Sequence, residues 1–123
     1  MNVAVWIGQI LLALAFLLAG AMKSTQPRQK LATSMGWVED YSDNTVRTIG
    51  VLELLAGIGL LLPALTGVAT VLVPLAAVGV ALLMLLAALT HRRRGEFQMI
   101  GVNDLLLLIA VVVAWARFGP YPL

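Results

Sequence analysis

Apolar residues run along this chain in four long stretches, about Val3 to Met22, Val46 to Leu62, Thr70 to Leu89 and Ile100 to Phe118, separated by polar or Pro- and Gly-bearing segments. Each falls within the roughly 17 to 25 residues that a helix needs to cross ~30 Å of hydrocarbon. The pattern predicts an all-α integral membrane protein, a four-helix antiparallel bundle forming a single membrane domain over residues 1–123. Pro63 follows the second stretch, and Pro74 lies in the first turn of the third, where a missing amide hydrogen costs least. The connection PALTGVAT is short and uncharged, so these two spans form an antiparallel hairpin. Ala19-Gly20-Ala21 resembles a small-residue cleavage site, but the first stretch has no basic leader and is too long for a secretory signal core. It reads as a retained span.

The first connection, KSTQPRQKLATSMGWVEDYSDNT, is long for so small a bundle. Arg28 to Met35 has helical propensity, and Trp37 and Tyr41 are amphipathic rings suited to the headgroup layer, which predicts a short interfacial helix or lid after the first span. Asp43 or Asn44 is the expected cap of the second span.

Helical spacing divides each span into faces. Val46, Gly50, Glu53 and Gly57 share one stripe, with a glycine one turn to either side of the acid, so the stripe faces protein. Gln9, Ala13, Phe16, Gly20 and Lys23 form a matching stripe on the first span, and Ala77, Ala81, Met84, Ala88 and His91 on the third. Asn103 and Asp104 cap the fourth helix if it begins beside them, and become buried polar residues if it begins near Phe97.

Composition agrees with the pattern: 61% of residues are hydrophobic and 11% charged, and the mean hydropathy is +0.98. Charge sets the orientation. Lys23, Arg28, Lys30 and Arg47 lie in or beside the first connection and Arg92, Arg93 and Arg94 in the third, whereas the opposite end has only Arg117. The positive-inside rule then places both basic connections in the cytoplasm, both termini outside, and the protein in the inner membrane. Aromatic residues are not interleaved with the arginine run, so it reads as a topology signal among membrane lipids and not as a nucleic-acid site. Trp6, Trp115 and Tyr121 are expected in the belt at the other interface.

The absence of cysteine excludes disulfides, thiolate-held iron-sulfur clusters and thiol catalysis, and a lone histidine cannot supply paired axial haem ligands. No zinc-ligand spacing, Walker motif, dinucleotide glycine fingerprint or Ser/His/Asp arrangement occurs, so neither a metal nor a covalently held cofactor is expected. The chemistry left is that of intramembrane polar groups. Lys23, Glu53, His91, Asn103, Asp104 and also Arg47 fall toward the basic end and could meet in one pocket, with Gln9 as a further contact deeper in the first span. An unpaired acid at mid-bilayer costs ~2.5 to 3.5 kcal/mol. Glu53 must therefore pair with Lys23, whose stem can cross the first hairpin, or carry a proton. As a pair the two residues clamp helices together; as a site they bind a ligand or exchange protons. His91 reads most simply as an exposed helix end, and Gln9 as interhelical glue.

FLLAGAMKSTQP, GWVEDYS, GVLELLAGIGLLLP, a Pro-started third span ending in HRRRGE, and the Asn/Asp-bearing fourth span together resemble the DoxX-like family of small four-helix membrane proteins. Gly20 with Lys23 and Gly50 with Glu53 are the most specific pieces. The resemblance implies a membrane bundle and a link to quinone chemistry, since founding relatives are membrane subunits associated with a thiosulfate:quinone oxidoreductase or a terminal quinol oxidase. It thus implies a non-autonomous subunit that binds a quinone beside a partner redox subunit or in a homo-oligomer. More distant relatives resemble assembly factors, which makes a chaperone-like role without catalysis the alternative. Small-solute transport fits less well, because the polar cluster occupies one half of the bilayer.

Overall fold

The computed structural model describes residues 1–33 and 35–123, Arg28 through its backbone alone. Helices α1 (Asn2–Thr25), α2 (Arg28–Leu31), α3 (Asp43–Thr66), α4 (Leu72–Arg94) and α5 (Phe97–Phe118) follow in order, with a 3-10 turn at Gly36–Asp40. The described residues contain no strand. The four long helices have 22 to 24 residues each, about 33 to 36 Å at ~1.5 Å per residue, enough to cross the hydrocarbon layer. The chain is a membrane protein.

The helix ends show which local signals prevail. The second span runs through Pro63 to Thr66, because proline removes a single ladder bond there while the following Ala64 and Leu65 still suit a helix. It stops at Gly67, whose φ of 72° is left-handed and whose amide bonds the Pro63 carbonyl. At its start the cap is Ser42, not Asp43 or Asn44: the Ser42 side chain accepts from the Thr45 amide at 3.2 Å, and Asp43 is already the first helical residue. Helix α5 begins at Phe97, which carries Asn103 and Asp104 well inside it.

The long connection does not form one interfacial helix over Arg28 to Met35, a stretch in which Ser34 lies outside the described residues. It makes the single turn of α2 and the 3-10 turn. Leu31, Val38 and Val46 are buried together, with Met22, Met35, Trp37 and Tyr41 packed around them, and this cluster fastens the connection across the basic end of the bundle.

The expected stripes face inward. Val46, Gly50, Glu53 and Gly57 are buried on α3, and Gln9, Ala13, Phe16 and Gly20 on α1. On α4 the buried residues include Ala77 and His91, with Ala81, Met84 and Ala88 half-buried between them. His91 is therefore not the exposed helix end that its place beside the arginines suggested, because it turns inward on the α4 stripe and bonds Glu96. Leu14, Leu18, Leu55, Leu62, Leu82, Leu86 and Leu108 are among the large side chains left exposed for lipid. Helix α1 packs most closely on α3, and α4 on α5; α3 with α4 and α1 with α5 join the two pairs. Leu12, Phe16, Leu60, Val73, Val80 and Val113 fill the centre.

Glycine decides how closely α1 approaches α3. A methyl group on Gly50 would lie 2.5 Å from the Ser24 amide nitrogen and 2.7 Å from the Lys23 carbonyl carbon, and one on Gly20 2.6 Å from the Gly50 carbonyl oxygen. These obstacles are backbone, which cannot turn aside, so the two helices touch along their glycines. Gly79, on α4, faces nothing within 4 Å. Gly50→Ala should therefore destabilise the protein by about 1 to 3 kcal/mol through overpacking, whereas Gly79→Ala should leave it unchanged or stabilise it by up to about 1 kcal/mol through helix propensity. Thermal unfolding in detergent, followed by helical circular dichroism, checks the opposite signs.

Candidate functional site

The close crossing of α1 and α3 brings Lys23 onto Glu53. Lys23 Nζ lies 2.6 Å from Glu53 Oε1, with side-chain exposures of 13% and 4%. The Trp37 ring sits over the ammonium at 5.0 Å from its centroid, so the lysine is held by an acid on one side and a π face on the other. The pair offsets the cost of charge at this depth, and removing one partner would leave the other buried and unmatched.

Beside the pair is a cavity of about 930 Å³. Most of its wall is apolar, with Phe16 from α1, Leu83 and Met84 from α4, and Leu106 from α5; Trp37 and Tyr41 come from the 3-10 turn and its end. Lys23, Glu53, His91 and Asn103 all line it. Asn103 reaches across from α5, its Nδ2 donating to the Met84 carbonyl at 2.7 Å, which fixes the amide's orientation. His91 Nδ1 is 2.9 Å from Glu96 Oε1. An ionised carboxylate only accepts, so Nδ1 carries the hydrogen, and in the neutral ring Nε2 is the basic nitrogen.

Three candidates, Asp104, Gln9 and Arg47, stay apart from this cluster. Asp104 is exposed and does not line the cavity, because it follows Asn103 by one residue and is turned ~100° round the helix. Gln9 lies toward the other end of α1, where Nε2 donates to the Leu60 carbonyl at 2.6 Å and Oε1 accepts from Arg117 Nε at 2.9 Å. Arg47 is exposed beside a separate cleft of about 90 Å³ that Gln26, Pro27 and Asp43 also line.

Arg117 was the residue least visible as an interior group. It is 4% exposed, donates to Asn2 Oδ1 at 2.8 Å and the Tyr121 carbonyl at 2.9 Å, and stacks 5.0 Å from the Trp6 ring. Its spacing from Asn103, Ala110 and Val113, all buried, places it on the inward stripe of α5. That signal was present in the sequence. Thr90 and Tyr41 also border the cavity, their hydroxyls 3.0 Å apart; no spacing rule links a loop tyrosine to a helix threonine.

The four membrane helices, the inward carboxylate–lysine pair and the cavity between helix pairs define a small polytopic membrane bundle with an interior site. Residues 7–113 match the model of the DoxX-like family, and the chain belongs to that family. Comparison with curated proteins and with solved structures finds no match.

At the membrane surface, Glu96 ties the α4–α5 turn together. The hydrogen bond from His91, reinforced by the Arg94 guanidinium, holds its carboxyl below the usual carboxylate range against the opposing effect of partial burial. A depressed folded-state pKa means that this stabilisation is full above the unfolded value of about 4.3 and is lost as pH falls through the folded one. Thermal unfolding measured at pH 6 and pH 3 should show a smaller acid-induced loss of stability in Glu96→Gln than in wild type. Equal losses would show that the Glu96 contacts contribute nothing.

Proposed function

We propose that this protein is a membrane subunit that binds a small hydrophobic molecule in the cavity, with a quinone headgroup beside Lys23 and Glu53. The observation that carries the reading is an apolar cavity of about 930 Å³ whose wall bears a lysine–carboxylate pair, a histidine and an asparagine. Ligand sites commonly combine apolar walls with a few convergent polar groups. The residues fit a quinone: Lys23 and Asn103 supply donors for ring oxygens, and Glu53 and His91 supply proton acceptors. A bound quinone supplies two-electron, two-proton redox chemistry, with electrons passing to or from a partner redox subunit. Lys23 would stabilise negative charge developing on a ring oxygen, while Glu53 holds and exchanges the proton. The lipid-facing surfaces also favour a ligand-binding role over helix chaperoning, since large residues such as Leu55, Ile58, Leu82 and Leu108 occupy them.

Native mass spectrometry with lipid extraction tests this reading. Wild type should retain quinone from a quinone-containing membrane, and Glu53→Gln roughly tenfold less, the effect of one charge-assisted hydrogen bond. Absence of quinone, or equal retention in both proteins, overturns it.

The same proposal sets the basic end at the cytoplasmic face of the inner membrane, which the clustering of Lys23, Arg47 and Arg92 to Arg94 supports. In intact cells, an impermeant thiol reagent should label Val68→Cys and spare Gln29→Cys. The reverse pattern inverts the topology.

A further inference from the structure

Three consecutive arginines end α4, and their surroundings differ. Arg94 Nη1 lies 2.8 Å from Asp40 Oδ2 and its Nε 3.3 Å from Glu96 Oε2, so its charge is matched. Arg92 and Arg93 have no carboxylate within ion-pairing distance among the described residues. Arg93 makes a neutral contact, Nη2 donating to the Tyr41 hydroxyl at 3.4 Å. Both border the large cavity.

The cavity lining thus holds three cations, Lys23, Arg92 and Arg93, against one carboxylate, Glu53. Glu53 matches Lys23, so the surplus positive charge sits with the two arginines at the end of α4. Guanidinium groups keep their charge at physiological pH and present a planar fork that suits phosphate oxygens. Inward of them the wall turns apolar, with Phe16, Leu83, Met84 and Leu106.

We infer that this rim binds an anionic membrane phospholipid, its phosphate held by Arg92 and Arg93 beside the Tyr41 hydroxyl, and one acyl chain lying between the helix pairs against Phe16, Leu83 and Met84. Charge complementarity selects the occupant. A neutral lipophile alone would leave both guanidiniums unmatched, and a water-soluble anion alone would leave the apolar wall uncovered. The phospholipid uses the rim arginines and the quinone reading uses the Lys23–Glu53 pair, so each can fail alone.

The test is native mass spectrometry of the protein released from nanodiscs holding equal amounts of phosphatidylglycerol and phosphatidylcholine. Wild type should retain phosphatidylglycerol in preference, and the Arg92→Gln/Arg93→Gln double variant should lose that preference by about tenfold or more. Lys30→Gln/Arg47→Gln removes as much charge from the same end of the bundle and should keep the preference, as should Glu53→Gln. Excess inorganic phosphate should not displace the lipid. Should the arginine variant not fold by circular dichroism, Met84→Trp narrows the cavity with every charge intact and should itself reduce phosphatidylglycerol retention. An unchanged preference in the arginine variant, an equal loss in the Lys30/Arg47 control, displacement by inorganic phosphate, or unchanged retention in Met84→Trp overturns the inference.

Discussion

The closeness of α1 and α3 governs the rest of the bundle. At Gly20 and Gly50 each helix occupies the space where the other would carry a side chain, and at Gly57 the Leu17 side chain fills the equivalent volume, with a prospective methyl only 2.7 Å from its Cγ. Such a contact permits little rotation or sliding. It fixes the faces of both helices, and Lys23 and Glu53 are thereby delivered within 2.6 Å of each other. The ion pair is a consequence of backbone proximity as much as its cause. A looser crossing would leave an acid and an amine to find other partners in hydrocarbon.

The two ends of the bundle differ in how they are filled. Toward one end Leu12, Leu60, Val73, Val80 and Val113 close the centre, and Arg117 ties α5 to α1 through Gln9 and Asn2. Toward the basic end lies the large cavity, lined by all four long helices and bordered by Trp37 and Tyr41. Lys23 and Glu53 lie beside that cavity. The closed end supplies rigidity, and the open end supplies room beside polar groups.

Hydropathy made the four helices legible, and the spacing of Gly50, Glu53 and Gly57 gave the inward face of α3, because in a bilayer a buried acid flanked by glycines has few other solutions. Their shared place toward the basic end suggested that Lys23, Glu53, His91 and Asn103 could meet, and all four line the cavity. Asp104 did not follow Asn103 inward, since it is turned ~100° further round the helix, and Gln9 proved too distant along α1. Arg117 escaped notice for a different reason: a charged residue near a helix end normally snorkels to water, and that expectation masked its place on the inward stripe of α5, where bonds to α1 hold it. The connection between α1 and α3 was least legible, because its form is set by the tertiary packing of Leu31 and Val38 and not by local propensity.

The Lys23–Glu53 pair also bears on how the chain enters the bilayer. Its members lie 30 residues apart, so a ribosome delivering the chain from its N-terminal side presents the lysine well before its acid. Until α3 arrives, the end of α1 has reason to stay in the headgroup region, where its ammonium is hydrated. Arg117 reaches Gln9 across 108 residues and can settle only after α5 is made. The bundle is therefore assembled from a first helix that waits twice: once for the neutralising carboxylate, and finally for the arginine that joins the last helix to it.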